Sequence, residues 1–294
     1  PPPPRAIVDG NQMFSAEGCA SISDSDGKLV FYTNGSTVWN RDHEVMTVLD
    51  TTGGDLLGGD STAAQGAMIL PFMNDETMYY VFSAEEVYGD GTYNIRYAIV
   101  DMKKDSAQGA VIVKRLPLAD NMIEKITATG FTTSSWLTMH EFGNNNFRTH
   151  LVSDQGVGPV THSPMGEVLF EQFPERADGY MKYNVGPTIL VNVIPGPNQF
   201  EVFDFDLAAG RFSNPRLIET NETDALYGVE LAGGGSKLYL TTNNKLIQYD
   251  LDSLNTDDEI THITDSKFDG YNTTGTLGAL QRGPNGVIYL AVDG

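Results

Sequence analysis

Positive charge is what this chain has least of. It carries 18 Lys and Arg against 39 Asp and Glu, a formal charge of −21. A nucleic-acid groove needs a basic stripe to displace counterions from phosphates, so that class of partner is excluded. Adhesion to anionic lipid by charge is excluded for the same reason. Cysteine is almost missing: Cys19 alone cannot form an internal disulfide, which leaves the redox compartment open. Long apolar runs are missing too. The longest, Ala67 to Met73, is interrupted by Pro71 and falls far short of the roughly 18 residues of a spanning helix, which argues against direct membrane insertion. Helical periodicity is nearly absent, and Asp120 to Lys125 reads as one helical turn at most. Pro1 to Pro4 is neither a signal nor a transit peptide; it reads as a polyproline lead-in or a trimmed end.

What remains is a chain with 40% apolar residues, enough for a buried core, and an acidic surface suited to a salty or calcium-containing medium. Its organisation is repetitive. Short apolar runs begin at Lys28, Thr77, Ser135, Thr188, Lys237 and Val287, spaced 49 to 58 residues apart, each after a Gly- or Asn-rich turn. A strand-only repeat of this period predicts propeller blades. The turns support hairpins: Asp24-Ser-Asp-Gly27, Thr33-Asn-Gly35 and Gly143-Asn-Asn-Asn146 separate apolar runs, and Asn-Gly favours the positive φ that tight hairpins require. Val202-Phe-Asp-Phe-Asp-Leu207 lines up with Ile247-Gln-Tyr-Asp-Leu251, each a third strand ending in an acidic residue. The expected fold is all-β: a β-propeller of four-stranded antiparallel blades, five complete and one partial, six or seven when intact. It is expected as a single domain over 1–294, incomplete at both ends, because an open propeller leaves bare strand edges.

Several of these segments, in order, resemble one family. They are Glu17-Gly-Cys-Ala-Ser-Ile-Ser-Asp24 with the run to Asn40, His140 to Arg148, Gly179-Tyr-Met-Lys182, Phe203-Asp-Phe-Asp206, Tyr227-Gly-Val-Glu230 and Gly278-Ala-Leu-Gln281. Together they resemble the N-terminal WD40-like propeller of large gliding-motility-associated surface proteins exported by type IX secretion. The resemblance implies an extracellular or cell-surface propeller at the head of a longer protein, and supplies no catalytic residues.

Candidate chemistry is sparse. His140-Glu141 lacks the second helical His of a metalloprotease motif, and on a strand the two side chains point to opposite faces. The better reading packs His140 inside a blade, with Glu141 capping the Asn-rich turn. Asp24 and Asp26, with Asp90 in Gly89-Asp-Gly91, are the acidic turn residues that calcium would use. The competing reading is a hairpin turn whose Asp carboxylates accept backbone N–H groups. Calcium is the one cofactor considered; otherwise none is expected. Tyr88, Tyr93 and Tyr271 lie in turn-rich segments and are the aromatics expected at a ligand face, where they could stack on sugar rings. Thr51, Ser61, Ser106 and Ser253 follow Asp in a pattern like bacterial O-glycosylation acceptors, and Asn34, Asn221 and Asn272 fit the N-linked pattern.

With no convergent catalytic set, the expected function is a non-enzymatic binding or structural module. It would recognise a glycan or surface protein through rim loops, with a neighbouring copy or domain closing the ring. The alternatives are a propeller glycan lyase or hydrolase, which needs carboxylates or a His/Tyr pair converging on one pocket, and a self-assembling fibre subunit.

Overall fold

The computed structural model describes residues 10–52, 57–87, 92–130, 133–169, 178–251, 261–263 and 275–293. The chain divides into two compact units: Pro1–Ile126 with Thr132–Ser135 and Leu151–Pro159, and Thr127–Phe131 with Trp136–His150 and Val160–Gly294. A 3-10 turn lies at Asp105–Ala107.

In the first unit, β1 (Ala20–Ser23), β2 (Leu29–Thr33) and β3 (Val38–Asn40) form an antiparallel sheet in chain order. Its hairpins form as the turn residues dictate. Gly27 takes φ 79° while Asp24 Oδ1 accepts the backbone N–H of Asp26 at 3.0 Å and of Lys28 at 2.9 Å. Gly35 takes φ 85° while Asn34 Oδ1 accepts from Ser36 and Thr37. The next sheet runs β5 (Ala67–Phe72), β6 (Asp75–Val87), β7 (Thr92–Asp101) and β8 (Ala110–Ala128), also antiparallel in chain order. A short β4 (Thr47–Val48) pairs parallel to the start of β8. Residues of these strands meet in one core that includes Val30, Phe31, Ile69, Val81 and Val100, with Phe31 edge-on to Tyr79 at 5.2 Å.

Strand β8 corrects one expectation. Asp120 to Lys125 is not a helical turn but lies inside this 19-residue strand. Arg115 and Asn121 take φ 53° and 60°, and the pairing with β7 shifts register several times. These are bulges that bend the strand without ending it. Met122, Ile123 and Ile126 are fully buried, so the polar Asp120-Asn121 pair marks a bend in an extended, core-facing segment.

Most of the second unit is built from β9 (Ser135–Glu141), β10 (Asn144–Ser153) and β11 (Gly156–Leu169), then three further antiparallel sheets. These are β12 (Met181–Tyr183), β13 (Ile189–Ile194), β14 (Gln199–Asp206) and β15 (Arg211–Glu219); β16 (Val229–Leu231), β17 (Lys237–Thr241), β18 (Leu246–Asp250) and β19 (Thr261–Ile263); and the pair β20 (Thr276–Arg282) and β21 (Ile288–Asp293). Both faces of β14 are buried. Phe200 and Val202 join the core with Leu238, Leu240 and Ile247, whereas Phe203 and Phe205 pack with Phe147 and Phe212. The protein is all-β, a propeller of successive antiparallel blades with a two-stranded final sheet.

A short polar motif recurs in two loops and at the start of β6. In Asp50-Thr-Thr52, Asp60-Ser-Thr62 and Asp75-Glu-Thr77, the Asp Oδ1 accepts both the backbone N–H and the hydroxyl of the Thr two residues on. At Asp75, the two Thr77 bonds and the Lys103 ammonium at 3.1 Å hold the carboxyl down to about 2. A depressed carboxyl stabilises the fold above its unfolded value, and that contribution is lost as pH falls from near 4 towards about 2. Thr77→Val is therefore expected to raise the Asp75 midpoint, read from its side-chain carboxyl carbon in an NMR titration; an unmoved midpoint rejects the assignment.

Candidate functional site

The residues singled out in the sequence do not assemble into one site. Tyr93 is corrected from a ligand-face residue to an interior one. Strand β7 begins at Thr92, so Tyr93 is already paired with Glu86 and Met122, and only 8% of it is exposed. Burial and a bond to Glu124 push its phenol far above the usual range. Asp24 serves its hairpin as described, and Asp26 faces Lys28 at 3.6 Å in open solvent. Among the described residues, no three His, Cys, Asp or Glu side chains converge as a metal would require. Tyr88, Asp90, Ser253 and Tyr271 lie outside the described residues. Thr51 is exposed and Ser61 half-buried, each beside an Asp whose carboxylate is occupied by the following Thr. Ser106 is exposed with φ 55° in the 3-10 turn. Asn34 is buried, with its amide donating to the Phe14 carbonyl at 2.9 Å, which removes it as a glycan acceptor.

His140 and Glu141 adopt the structural roles anticipated for them. His140 is fully buried and edge-on to Phe147 at 4.5 Å. Glu141 accepts from Asn144 and Asn146, both at 2.7 Å, and from Arg148, so it ties the β9–β10 turn together.

A polar cluster does form where sequence reading assigned no chemistry. The first strands of three successive sheets in the second unit, β12, β16 and β20, lie side by side and carry Lys182, Glu230 and Gln281. Glycine makes this approach close. Gly179, at φ 83°, precedes Tyr180, whose N–H donates to the Tyr227 carbonyl at 3.1 Å. A Cβ on Gly228 would stand 2.7 Å from the Gly278 carbonyl oxygen and 2.8 Å from Thr241 Oγ1. Thr241 bridges the two segments, accepting from Gly228 N and donating to the Gly278 carbonyl, both at 2.8 Å. Gly228→Ala is therefore expected to cost about 1–3 kcal/mol, the range for overpacking, and to spread β16 from β20. Thermal unfolding measures the cost; an unchanged midpoint rejects the close contact.

Within the cluster, Lys182 Nζ donates to Gln281 Oε1 at 2.6 Å and lies 4.0 Å from Glu230 Oε2. Glu230 is fixed independently: Oε1 accepts from Leu231 N and Oε2 from Arg282 N, both at 3.0 Å. The Lys182 amine sits 5.8 Å from the centre of the Tyr180 ring, which meets Tyr227 edge-on at 5.5 Å. The Lys182 side chain is 16% exposed and that of Glu230 6%, while Gln281 faces solvent. Burial strips water from the ammonium and lowers the Lys182 pKa below the ordinary lysine range, with Glu230 partly opposing it. The arrangement is a partly desolvated amine beside a rigid carboxylate, open on one side and flanked by two aromatic rings. An amine made less basic in this way gives up its proton more readily than an ordinary lysine, and in its neutral form can act as a base or a nucleophile. The sequence carried a signal: three consecutive repeats place a charged or amide residue two or three positions after a glycine, Gly179, Gly228 and Gly278.

No family model matches the chain, and no curated protein matches it by sequence. Solved structures resemble it in fold. A candidate 6-phosphogluconolactonase from Bacteroides uniformis is 12% identical with a TM-score of 0.55, the match covering 92% of this chain and 76% of that one. Hydrazine synthase of Kuenenia stuttgartiensis is 14% identical with a TM-score of 0.54, covering 98% and 77%. The periplasmic gluconolactonase of Pseudomonas aeruginosa is 13% identical with a TM-score of 0.51, covering 90% and 75%. These likenesses bear on the fold. They also overturn the expectation of a non-enzymatic adhesion module: the three proteins carry the names of enzymes, two of them lactonases.

Proposed function

We propose that the chain is an enzyme that hydrolyses a sugar-derived ring ester at the Lys182–Glu230–Gln281 cluster. The observation that carries this reading is the partly desolvated Lys182 amine, held at 2.6 Å by Gln281 beside a carboxylate fixed by two backbone N–H groups. A neutral amine there takes a proton from water as the water oxygen bonds to the ring carbonyl carbon. The ammonium so formed is stabilised by Glu230, then returns the proton to the alkoxide released when the ring C–O bond breaks. Tyr180 and Tyr227 supply aromatic surface of the kind that sugar rings stack on. The lactonase names of two similar folds support the substrate class. We place the enzyme outside the cytoplasm, as part of an exported protein. The surface-protein resemblance and the periplasmic location named for one neighbour support this.

The test is acid release from glucono-1,5-lactone in a pH-stat, corrected for spontaneous opening. Catalysed opening is expected, with a rate that rises with pH as the Lys182 amine loses its proton and levels off below the ordinary lysine pKa. No acceleration across a panel of five- and six-membered sugar lactones would reject the reading.

A further inference from the structure

We infer that the same cluster captures small aldehydes covalently, with the Lys182 Nζ forming an imine with the open-chain carbonyl form of a sugar or hydroxyaldehyde. The inference shares its site with the proposed hydrolysis but does not depend on it, because hydrolysis needs the amine only as a base.

The geometry meets the three requirements of imine formation. The first is a nucleophilic amine that can be reached. Lys182 is mostly buried but not sealed, and its Gln281 partner faces solvent, so a short carbonyl compound can approach from that side. The second is a group that moves protons when the carbinolamine forms and collapses. Glu230 Oε2 lies 4.0 Å from Nζ and is immobilised by Leu231 and Arg282 backbone N–H groups, so it is already in position. The third is stabilisation of the cationic iminium. The Glu230 carboxylate and the Tyr180 ring, 5.8 Å from Nζ, both favour a positive charge at that nitrogen.

The step balances. The nitrogen lone pair bonds to the carbonyl carbon, and Glu230 moves one N–H proton to the carbonyl oxygen to give the carbinolamine; a second proton from solvent makes that hydroxyl leave as water while the nitrogen lone pair closes the C=N bond, and the iminium then returns its N–H proton to solvent to leave the imine. No oxidant or metal is involved. The exposed lysines lack this setting. Lys28 and Lys103 have side chains 74% and 63% exposed, each facing an Asp in open solvent with no aromatic ring beside it among the described residues.

The experiment incubates the intact chain at neutral pH with limiting glyceraldehyde and sodium cyanoborohydride, then locates the reduced adduct by peptide mass mapping. The Lys182 peptide is expected to carry most of the label. Glu230→Gln is expected to slow labelling at Lys182 while leaving that at Lys28 and Lys103 unchanged. Lys182→Arg, which keeps the charge and checks folding by circular dichroism, is expected to lose that label alone. Labelling of Lys182 no faster than of Lys28 overturns the inference. The outcomes separate the two readings: label at Lys182 without lactone opening rejects only the hydrolysis, and lactone opening without label rejects only the capture.

Discussion

Replacing Lys182 by Met is expected to lower kcat/KM for lactone opening by about 10²–10⁴-fold, the usual contribution of a positioned general base. Methionine keeps the length and apolar body of the side chain, so the aromatic surroundings persist while the proton acceptor is lost. The pH dependence is the second readout. In the native chain the rate rises with pH through the lowered Lys182 pKa; in the variant that rise is expected to vanish. Stability should move the other way. Because the folded pKa of Lys182 lies below its ordinary value of 10.5, the unfolded chain binds more protons between those two values. The native fold therefore bears a cost at neutral pH that is relieved as pH rises towards 10.5, and Lys182→Met removes it. Glu230 keeps its two backbone donors in the variant. A variant that loses activity while its unfolding midpoint holds or rises fits a chemical role. One that keeps both its activity and its pH profile excludes Lys182 as the base.

Phe147→Ala is expected to give the largest loss of stability, about 3–5 kcal/mol, the range for truncating a buried Phe. Phe147 is fully buried in the second unit, and its ring meets His140 at 4.5 Å and both Phe203 and Phe212 at 5.0 Å. Four aromatic rings from β9, β10, β14 and β15 thus share one contact. Removing the central ring forfeits the burial energy and leaves a void that stiff neighbouring strands cannot close. Denaturant unfolding followed by circular dichroism measures the effect. A loss below about 1 kcal/mol would mean that the surrounding rings collapse into the space, against the cavity costs usual for such sites.

The two predictions separate what strand periodicity reveals from what it hides. The blade pattern was readable because each strand alternates faces and each hairpin needs its own turn residues. Gly27, Asn34-Gly35 and Gly143-Asn144 turn where the sequence says they turn. The burial of His140 and the cap by Glu141 were readable for the same reason, since adjacent strand residues point to opposite faces. Tyr93 misled because a nearby turn signal does not reveal at which residue the ladder begins, and one residue decides whether a ring faces solvent or core. Asp120 to Lys125 misled because a bulge residue resembles a turn residue locally, while the burial of Met122, Ile123 and Ile126 is settled by distant partners.

Composition and period alone determined that the chain is all-β and repetitive, that its net charge is strongly acidic, and where its hairpins turn. These follow from local rules, the two-residue alternation of strands and the φ that Gly and Asn accept. The tertiary structure alone decided the candidate site. Lys182, Glu230 and Gln281 are 48 and 51 residues apart along the chain, and no local rule brings them together. They meet because glycine and Thr241 allow three first strands to approach closely, and burial there makes the amine less basic than it would be in water.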